Sequence, residues 1–156
     1  MVELRPARDE DVEALLRILA GPEVARWWGE IDEQSVREDL GTSFVVLIEE
    51  AVAGWLLFDE ETTPEYHQVG LDISLATEFQ GRGHGPEALR LAIRHFADRG
   101  HHRFTIDPAA ANERAIRAYA KVGFKPVGVM RDYERSPDGR WHDGLLMDLL
   151  VAELAD

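Results

Sequence analysis

The chain has 156 residues, of which 45% are hydrophobic and 30% charged, a composition typical of a soluble globular protein. Its 30 Asp and Glu residues outnumber 17 Lys and Arg, giving a formal net charge of −13 that disfavours nucleic acid and anionic lipid as partners and attracts cations. The chain contains no cysteine, which excludes disulfides, thiolate metal ligands and a cysteine nucleophile.

The amino-terminal segment "MVELRPARDEDVEALL" lacks the layout of a signal peptide. No apolar run approaches the roughly 20 residues that a membrane helix needs. We therefore expect a cytoplasmic protein with one domain over residues 1–156. The acidic excess fits either plain solubility or a cationic substrate, and composition alone does not decide between them.

The first half of the chain predicts a strand, three helices and three further strands. The run "VELRPA" predicts a strand, and the helical spacing of apolar residues within 12–19 predicts a helix that Gly21-Pro22 ends. Two short helices are expected in "PEVARWWGE" and "DEQSVREDL". The segments "SFVVLIEE" and "VAGWLLFDE" predict strands joined by a tight turn, followed by a loop in "ETTPEY" and a strand in "HQVGLDISL".

The second half predicts two helices separated by a strand, and then a hairpin. A helix is expected over residues 86–99, with Gly100 after its end, and "HRFTID" predicts the next strand. The segment "NERAIRAYAKVGF" predicts a helix with Asn112 as its N-cap and Gly123 as its stop. A closing hairpin surrounds the turn "SPDG". This interleaved order, with few βαβ units, predicts a mixed α/β fold.

The segment "QGRGHG", residues 80–85, joins a predicted strand to the long helix. A helix amino terminus exposes unpaired N–H groups and a partial positive charge, and glycines let a pyrophosphate approach these donors closely. Arg82 and His84 can add positive charge beside them, and Pro86 fits the first turn of the helix. The segment therefore predicts a phosphate site.

Several interpretations of this segment compete. A Walker loop requires a Gly-Lys-Ser/Thr ending, which is absent, and a Rossmann fingerprint requires a glycine where Pro86 stands. A glycine-rich turn without any ligand is a further interpretation. The remaining pattern is Gln/Arg-x-x-Gly-x-Gly, which residues 80–85 match.

That pattern resembles motif A of the GCN5-related N-acetyltransferase (GNAT) family. A second segment, "NERAIRAYAKVGF", is similar to the Asn-x-x-Ala-x-x-x-Tyr-x-x-x-Gly-Phe helix of the same family. The resemblance covers nearly the whole chain, because the predicted order of elements also matches. It implies a central, mostly antiparallel sheet of roughly seven strands, with splayed middle strands and helices on both faces.

The resemblance also implies acetyl-CoA as a co-substrate. The implied cofactor-binding residues are Ile73, Leu75, Gln80, Gly81, Arg82, Gly83, His84, Gly85, Asn112 and Tyr119. The six histidines show no His-Glu-x-x-His or comparable spacing, so no metal is expected.

A narrower similarity is to the aminoglycoside 6′-N-acetyltransferases, carried by "EVARWWGE", "VGLDISL" and "IDPAAANERAIRAYAKVGF". It implies that Trp27, Trp28, Asp72 and Asp107 line the acceptor site. Those enzymes often carry an aromatic-rich insertion before the strand of the Asp, whereas this chain has only "DEETTPEYHQ". One wall of the acceptor pocket is therefore expected to be more open.

Asp72 and Tyr119 are the predicted catalytic residues. Asp72 alternates with Leu71 and Ile73, so its carboxylate faces away from them and can hold an ammonium group and take its proton. Tyr119 can donate a proton to a departing thiolate, and a backbone N–H near Leu75 is expected to stabilise an oxyanion. The alternatives are a solvated Asp72, a core Tyr119 and a Trp pair that plugs the edge of the core.

The predicted function is N-acetylation of a small polycationic amine, with an aminoglycoside as the favoured substrate. Glu60, Glu61 and Glu65 make the preceding loop acidic and together could steer such a cation, although a solvated loop charge is the simpler interpretation of each one alone. Acetylation of a protein amino terminus, as in ribosomal-protein acetyltransferases, is the main alternative. A non-catalytic CoA sensor is a third, and a homodimer is compatible with the sequence.

Overall fold

The computed structural model describes residues 1–156 and contains seven strands and five α-helices. The strands are β1 (Val2–Pro6), β2 (Ser43–Ile48), β3 (Ala51–Glu61), β4 (Gln68–Leu75), β5 (Arg103–Ile106), β6 (Lys125–Arg135) and β7 (Trp141–Leu150). The helices are α1 (Val12–Ala20), α2 (Pro22–Trp28), α3 (Glu33–Asp39), α4 (His84–Asp98) and α5 (Glu113–Val122).

All seven strands form one sheet in the order β1-β2-β3-β4-β5-β7-β6. Every neighbouring pair is antiparallel except β4 and β5, which run parallel and pair only at Val69–Phe104 and Gly70–Thr105. Beyond these residues the two middle strands separate. The predicted mixed α/β fold, with a mostly antiparallel sheet that is splayed at its centre, is confirmed.

The two faces of the sheet are covered by different helices. Val45 and Trp55 pack on one face with the buried side chains of α1, α2 and α3, and Leu56 and Ile73 pack on the other face with those of α4 and α5. Burial of such side chains contributes about 1.5–3 kcal/mol each to folding. None of the helices combines the length and the apolar character required to cross a membrane.

Two boundaries beside the site differ from those that the sequence predicts. Helix α4 begins at His84 rather than at Pro86. Residues in the first turn of a helix make no N–H bond within the helix, so a proline there costs no hydrogen bond and the helix can begin before it. Strand β3 extends one residue further than predicted, to Glu61, which pairs with Gln68, so the six-residue connection to β4 is shifted by one position.

A buried ion pair joins β1 to α1. The two guanidinium nitrogens of Arg5 donate to the two carboxylate oxygens of Asp11 at 2.8 Å each, and the backbone N–H of Arg8 donates to Asp11 at 2.8 Å. Asp11 is 3% exposed. The hydrogen bonds from Arg5 lower the pKa of Asp11, so the pair stabilises the fold at neutral pH.

Candidate functional site

The separation of β4 from β5 places two carboxylates beside each other. Gly70 and Thr105 are the last paired residues, and Asp72 and Asp107 each follow two positions later. Because side chains alternate along a strand, both carboxylates face the same side of the sheet as Gly70 and Thr105. The parallel strands therefore present Asp72 and Asp107 together at the mouth of the gap.

A cavity of about 480 Å³ occupies this gap. Its lining comes from α2, the end of β4, the start of α4, the segment after β5, one face of α5 and β6. Five residues predicted to act on the acceptor or in catalysis share this lining, namely Trp27, Trp28, Asp72, Asp107 and Tyr119. The structure thus brings together side chains that are separated by up to about ninety positions in the sequence.

At one end of the cavity, the glycine segment presents free backbone donors. The first hydrogen bond of α4 runs from the N–H of Glu87 to the carbonyl of Gly83, and none of the N–H groups of residues 81–85 has a backbone partner. Gly81 and Gly83 adopt φ of +76° and +82°, which side chains disfavour. This conformation and the positive end of α4 suit a phosphate group, as the sequence predicts.

Basic side chains of α5 flank the same end. Arg114, Arg117 and Lys121 line the cavity, and a Cβ on Gly81 would lie 2.9 Å from Nη2 of Arg114. Sequence reasoning did not assign these three residues. Their spacing of three and four positions places them on one face of the helix, and that spacing is the signal that could have identified them.

The other predicted cofactor residues occupy mixed positions. Gln80 lines the cavity but donates from its side chain to the carbonyl of Leu75 at 2.9 Å, which ties the glycine segment to the end of β4. Asn112 also lines the cavity, and it caps α5 by accepting from the N–H of Ala115 at 3.2 Å. The side chains of Arg82 and His84 lie outside the lining.

Strand β4 offers further backbone donors in the gap. The N–H of Ala76 bonds to the carbonyl of Ala53 in β3, so alternation turns the N–H groups of Ile73 and Leu75 away from β3 and toward the separated β5. The N–H of Ile73 donates to the carboxylate of Asp72 at 2.9 Å. The N–H of Leu75 therefore faces the gap, and its role as an oxyanion donor stays a prediction.

Asp72 is a carboxyl group with an unusually high proton affinity. Asp72 is exposed where its side chain lines the cavity, but protein encloses the carboxylate on its remaining sides and desolvates it there. This burial, followed by the negative charges of Asp107 and Glu134, raises its pKa to about 7, against the opposing hydrogen bond from Ile73. A carboxyl group with such a pKa can exchange a proton at neutral pH.

Tyr119 reaches the gap from α5 on the opposite face of the sheet. It is 9% exposed, its ring packs edge-on against Phe124, and it lines the cavity. Burial and then the charges of Asp72 and Asp107 raise its pKa above the usual range. The hydroxyl group therefore stays protonated and can serve as a donor. It combines both roles considered from the sequence, a core ring and a polar group in the site.

Helix α2 forms part of the cavity wall. Trp28 lines the cavity and also packs against Trp55 of the core, with ring centroids 6.2 Å apart, whereas the ring of Trp27 is covered by the guanidinium group of Arg26 at 4.7 Å. Trp28 therefore serves the core and the cavity at once. The acidic residues Glu23 and Glu134, which the sequence did not single out, also line the cavity.

Glu60 lies on the other side of the sheet from this site. Its carboxylate bonds to the buried His101 ring at 2.7 Å and to Arg99 at 3.4 Å. Strand β3 extends through Glu60, so alternation places Asp59, rather than Glu60, on the face that carries Asp72. The carboxylate of Glu60 is thus engaged by His101 and Arg99, and Asp59 is the acidic residue on the face that carries Asp72.

Comparison with known proteins gives one family and several relatives. Residues 2–125 match the acetyltransferase (GNAT) domain family. The chain is 31% identical over 106 residues to the [ribosomal protein uS5]-alanine N-acetyltransferase of Escherichia coli, covering 67% of this chain and 54% of that protein. It is 28% identical over 166 residues to the aminoglycoside N(6′)-acetyltransferase type 1 of Klebsiella pneumoniae, covering 88% and 79%.

The fold also matches solved structures. Mycobacterium smegmatis RimJ in complex with CoA-disulfide superposes with a TM-score of 0.85 at 24% identity, covering 99% of this chain and 84% of that one. The match to the uS5-alanine enzyme spans only about half of that relative's length. The two curated relatives name different acceptors, so similarity alone does not select one.

Proposed function

Because the chain belongs to the acetyltransferase (GNAT) family, we propose that it transfers an acetyl group from acetyl-CoA to a primary amine of a small polycationic substrate. The favoured substrate class is an aminoglycoside, acetylated at its 6′-amino group. The transfer is direct, with both substrates bound in the cavity at once.

The distribution of charge in the cavity carries this proposal. One end presents the free N–H groups of residues 81–85 together with Arg114, Arg117 and Lys121, and the other end presents Asp72, Asp107 and Glu134. An anionic co-substrate and a cationic acceptor would each bind at the end of opposite charge. The net charge of −13 extends the attraction for a cation beyond the cavity itself.

The residues at the basic end fit acetyl-CoA. The glycine segment leaves room for a pyrophosphate against the start of α4, and the guanidinium group of Arg114 lies over Gly81, where a side chain would displace it. When bound, acetyl-CoA supplies an acetyl group that is activated as a thioester. The separated strand β4 offers the N–H of Leu75 as a donor to the carbonyl oxygen of that group.

Asp72 would hold the acceptor ammonium group and accept its proton. An alkyl ammonium group has a pKa of about 10.4, and an ordinary carboxyl group is too weak a base to deprotonate it readily. With its pKa raised to about 7, Asp72 is still about half ionised at neutral pH and is a far better proton acceptor. The negative charges of Asp107 and Glu134 sustain this basicity.

Tyr119 would donate to the departing sulfur. A thiol has a pKa of about 8.5, whereas the pKa of the Tyr119 hydroxyl lies above its usual range. Complete proton transfer from the phenol to a thiolate is therefore uphill, and we assign Tyr119 as a hydrogen-bond donor that stabilises developing negative charge on sulfur.

A second acceptor is supported by one observation. The similarity to the uS5-alanine N-acetyltransferase favours the amino terminus of a protein, since the acidic end of the cavity could equally hold a single terminal ammonium group. The two acceptors differ in charge. A polycation uses several carboxylates at once, whereas a peptide with uncharged side chains presents one ammonium group and uses only one carboxylate.

An acceptor panel tests the proposal. Free CoA release would be measured with acetyl-CoA and kanamycin or an uncharged alanine-terminated peptide, at about 0.05 M and about 0.5 M salt. We expect kanamycin to be the faster acceptor and salt to reduce its kcat/KM, because screening weakens charge attraction. Faster and salt-independent acetylation of the peptide would replace the aminoglycoside with a protein amino terminus.

A further inference from the structure

Strand β6 contains a pronounced bulge beside the acidic end of the cavity. Met130 pairs with Gly144 and Glu134 pairs with His142, so three residues of β6 face the single residue Asp143 of β7. Within the bulge, Asp132 has φ of +46°, and its N–H donates to the carboxylate of Asp143 at 2.9 Å. The irregularity is thus held in place by a specific hydrogen bond, and bulges commonly re-aim a side chain near a site.

The bulge directs Tyr133 toward the segment that follows β5. A Cβ on the buried Gly144 would lie 2.8 Å from Cδ2 of Tyr133, so the tyrosine ring lies against a position where only glycine leaves room. Gly144 also forms a bridge with Ala109. The hydroxyl group of Tyr133 donates to Oδ2 of Asp107 at 2.5 Å.

This contact fixes a carboxylate of the cavity from outside it. Tyr133 is not part of the cavity lining, whereas Asp107 and Glu134 are. The hydrogen bond to Asp107, together with partial burial, raises the pKa of Tyr133 to about 12, so the hydroxyl group remains a donor at neutral pH. A donated hydrogen bond favours the ionised form of a carboxylate and restricts its rotation.

We infer that Tyr133 is a positioning residue for acceptor selection: it holds Asp107 so that Asp107 and Glu134 form a second ammonium subsite beside Asp72. This inference rests on the proposed function. The second subsite favours acceptors with two or more amino groups, since one ammonium group binds at Asp72 while another binds at Asp107 and Glu134. Monoamines use Asp72 alone and gain nothing from Tyr133.

The test is Tyr133→Phe, which keeps the ring against Gly144 and removes the hydroxyl. We expect KM for kanamycin to rise about tenfold, as for the loss of a hydrogen bond to a charged group, with kcat within about twofold. KM for acetyl-CoA and for the monoamine hexylamine should not change. Tyr66→Phe, at an exposed tyrosine outside the cavity, is the matched control and should leave every constant unchanged.

A double-mutant comparison separates positioning from general structural damage. The double variant Tyr133→Phe with Asp107→Asn should have the same KM for kanamycin as Asp107→Asn alone, because the hydroxyl group acts only through Asp107. An equal rise on both backgrounds, or a rise in KM for hexylamine and acetyl-CoA as well, would overturn the inference.

Calorimetric titration of kanamycin separates this inference from the proposed function, because it requires no turnover. If the wild type acetylates neither kanamycin nor the peptide, the proposed function fails. The second subsite is then still supported if Tyr133→Phe weakens kanamycin binding about tenfold. It is refuted if the wild type and the variant bind kanamycin equally, or if neither protein binds it.

Discussion

Replacing Asp72 with asparagine should abolish acetyl transfer and yet stabilise the fold. The substitution keeps the shape of the side chain and removes both its charge and its basicity. Loss of a general base lowers rates by about 100- to 10,000-fold, so we expect kcat/KM for the acceptor to fall at least about 100-fold. A loss of activity that comes with greater stability cannot be attributed to misfolding.

The direction of the stability change follows from the pKa of Asp72. Its pKa rises from 3.8 to about 7 on folding, so the folded state binds the proton more tightly than the unfolded state does. The free energy of unfolding therefore falls as the pH rises from about 4 to about 7 and stays low above that range. Asparagine carries no ionisable proton, and its free energy of unfolding lacks this decrease.

The size of this change in the free energy of unfolding depends on how far solvent reaches the carboxylate of Asp72. Without screening, a change from 3.8 to about 7 would correspond to about 4 kcal/mol at pH 8. Because the carboxylate opens into the cavity, solvent weakens the penalty, and we expect about 1 kcal/mol. For a chain of this size, that corresponds to a rise in Tm of about 2–4 °C.

Thermal unfolding of the two proteins from pH 4 to pH 8 measures this effect. The Tm values should coincide near pH 4, diverge as the pH rises from about 4 to about 7, and keep a constant difference above that range. Asp59→Asn, on the same face but outside the cavity lining, is the matched control for removing a carboxylate and should not change Tm. A lower Tm for Asp72→Asn at pH 8 would refute the account of its environment, and unchanged kcat/KM would refute its role as the base.

Three further substitutions test the phosphate end, the tyrosine and the fold. Gly83→Asp should weaken acetyl-CoA binding at least about tenfold in calorimetry. Gly83→Ala carries the same backbone strain without the charge and should weaken binding less. Equal affinities of the two variants for acetyl-CoA would contradict the phosphate assignment. Tyr119→Phe should lower turnover about 10- to 1,000-fold with Tm within about 2 °C, and undiminished turnover would leave only its core role. Asp11→Asn should lower the free energy of unfolding by about 2–4 kcal/mol in denaturant titrations at pH 7, because it breaks a buried pair with Arg5. Because the pKa of Asp11 is lowered in the folded state, this difference should disappear as the pH falls below about 4, and a pH-independent difference would point to packing instead.

The sequence predicted the parts of the site that depend on local pattern. The glycine segment must lie between a strand and a helix to present its N–H groups, and alternation along β4 determined the face on which Asp72 lies. Asn112 was identified as the N-cap of α5 from its residue type and position. Each of these features is encoded within about ten residues of the chain.

The parts that escaped prediction depend on contacts between distant segments. The role of Arg114 follows from its position over Gly81, which lies thirty-three residues earlier in the sequence. Glu60 was grouped with the acidic loop near the cleft, but its carboxylate bonds to His101, which lies forty-one residues later in the sequence. The orientation of Tyr133 results from a bulge, and no period in the sequence encodes the two additional residues that the bulge contains.

Competition between two acceptors in one reaction tests the central claim most directly, namely that the acidic end of the cavity selects a polycationic amine. The protein would be incubated with acetyl-CoA and equal concentrations of kanamycin and an uncharged alanine-terminated peptide, and both acetylated products would be quantified by mass spectrometry. The product ratio at early times equals the ratio of the two kcat/KM values. Our account predicts that acetylated kanamycin exceeds acetylated peptide by at least about tenfold at low salt. A predominance of acetylated peptide, or an equal mixture that salt does not change, would contradict it.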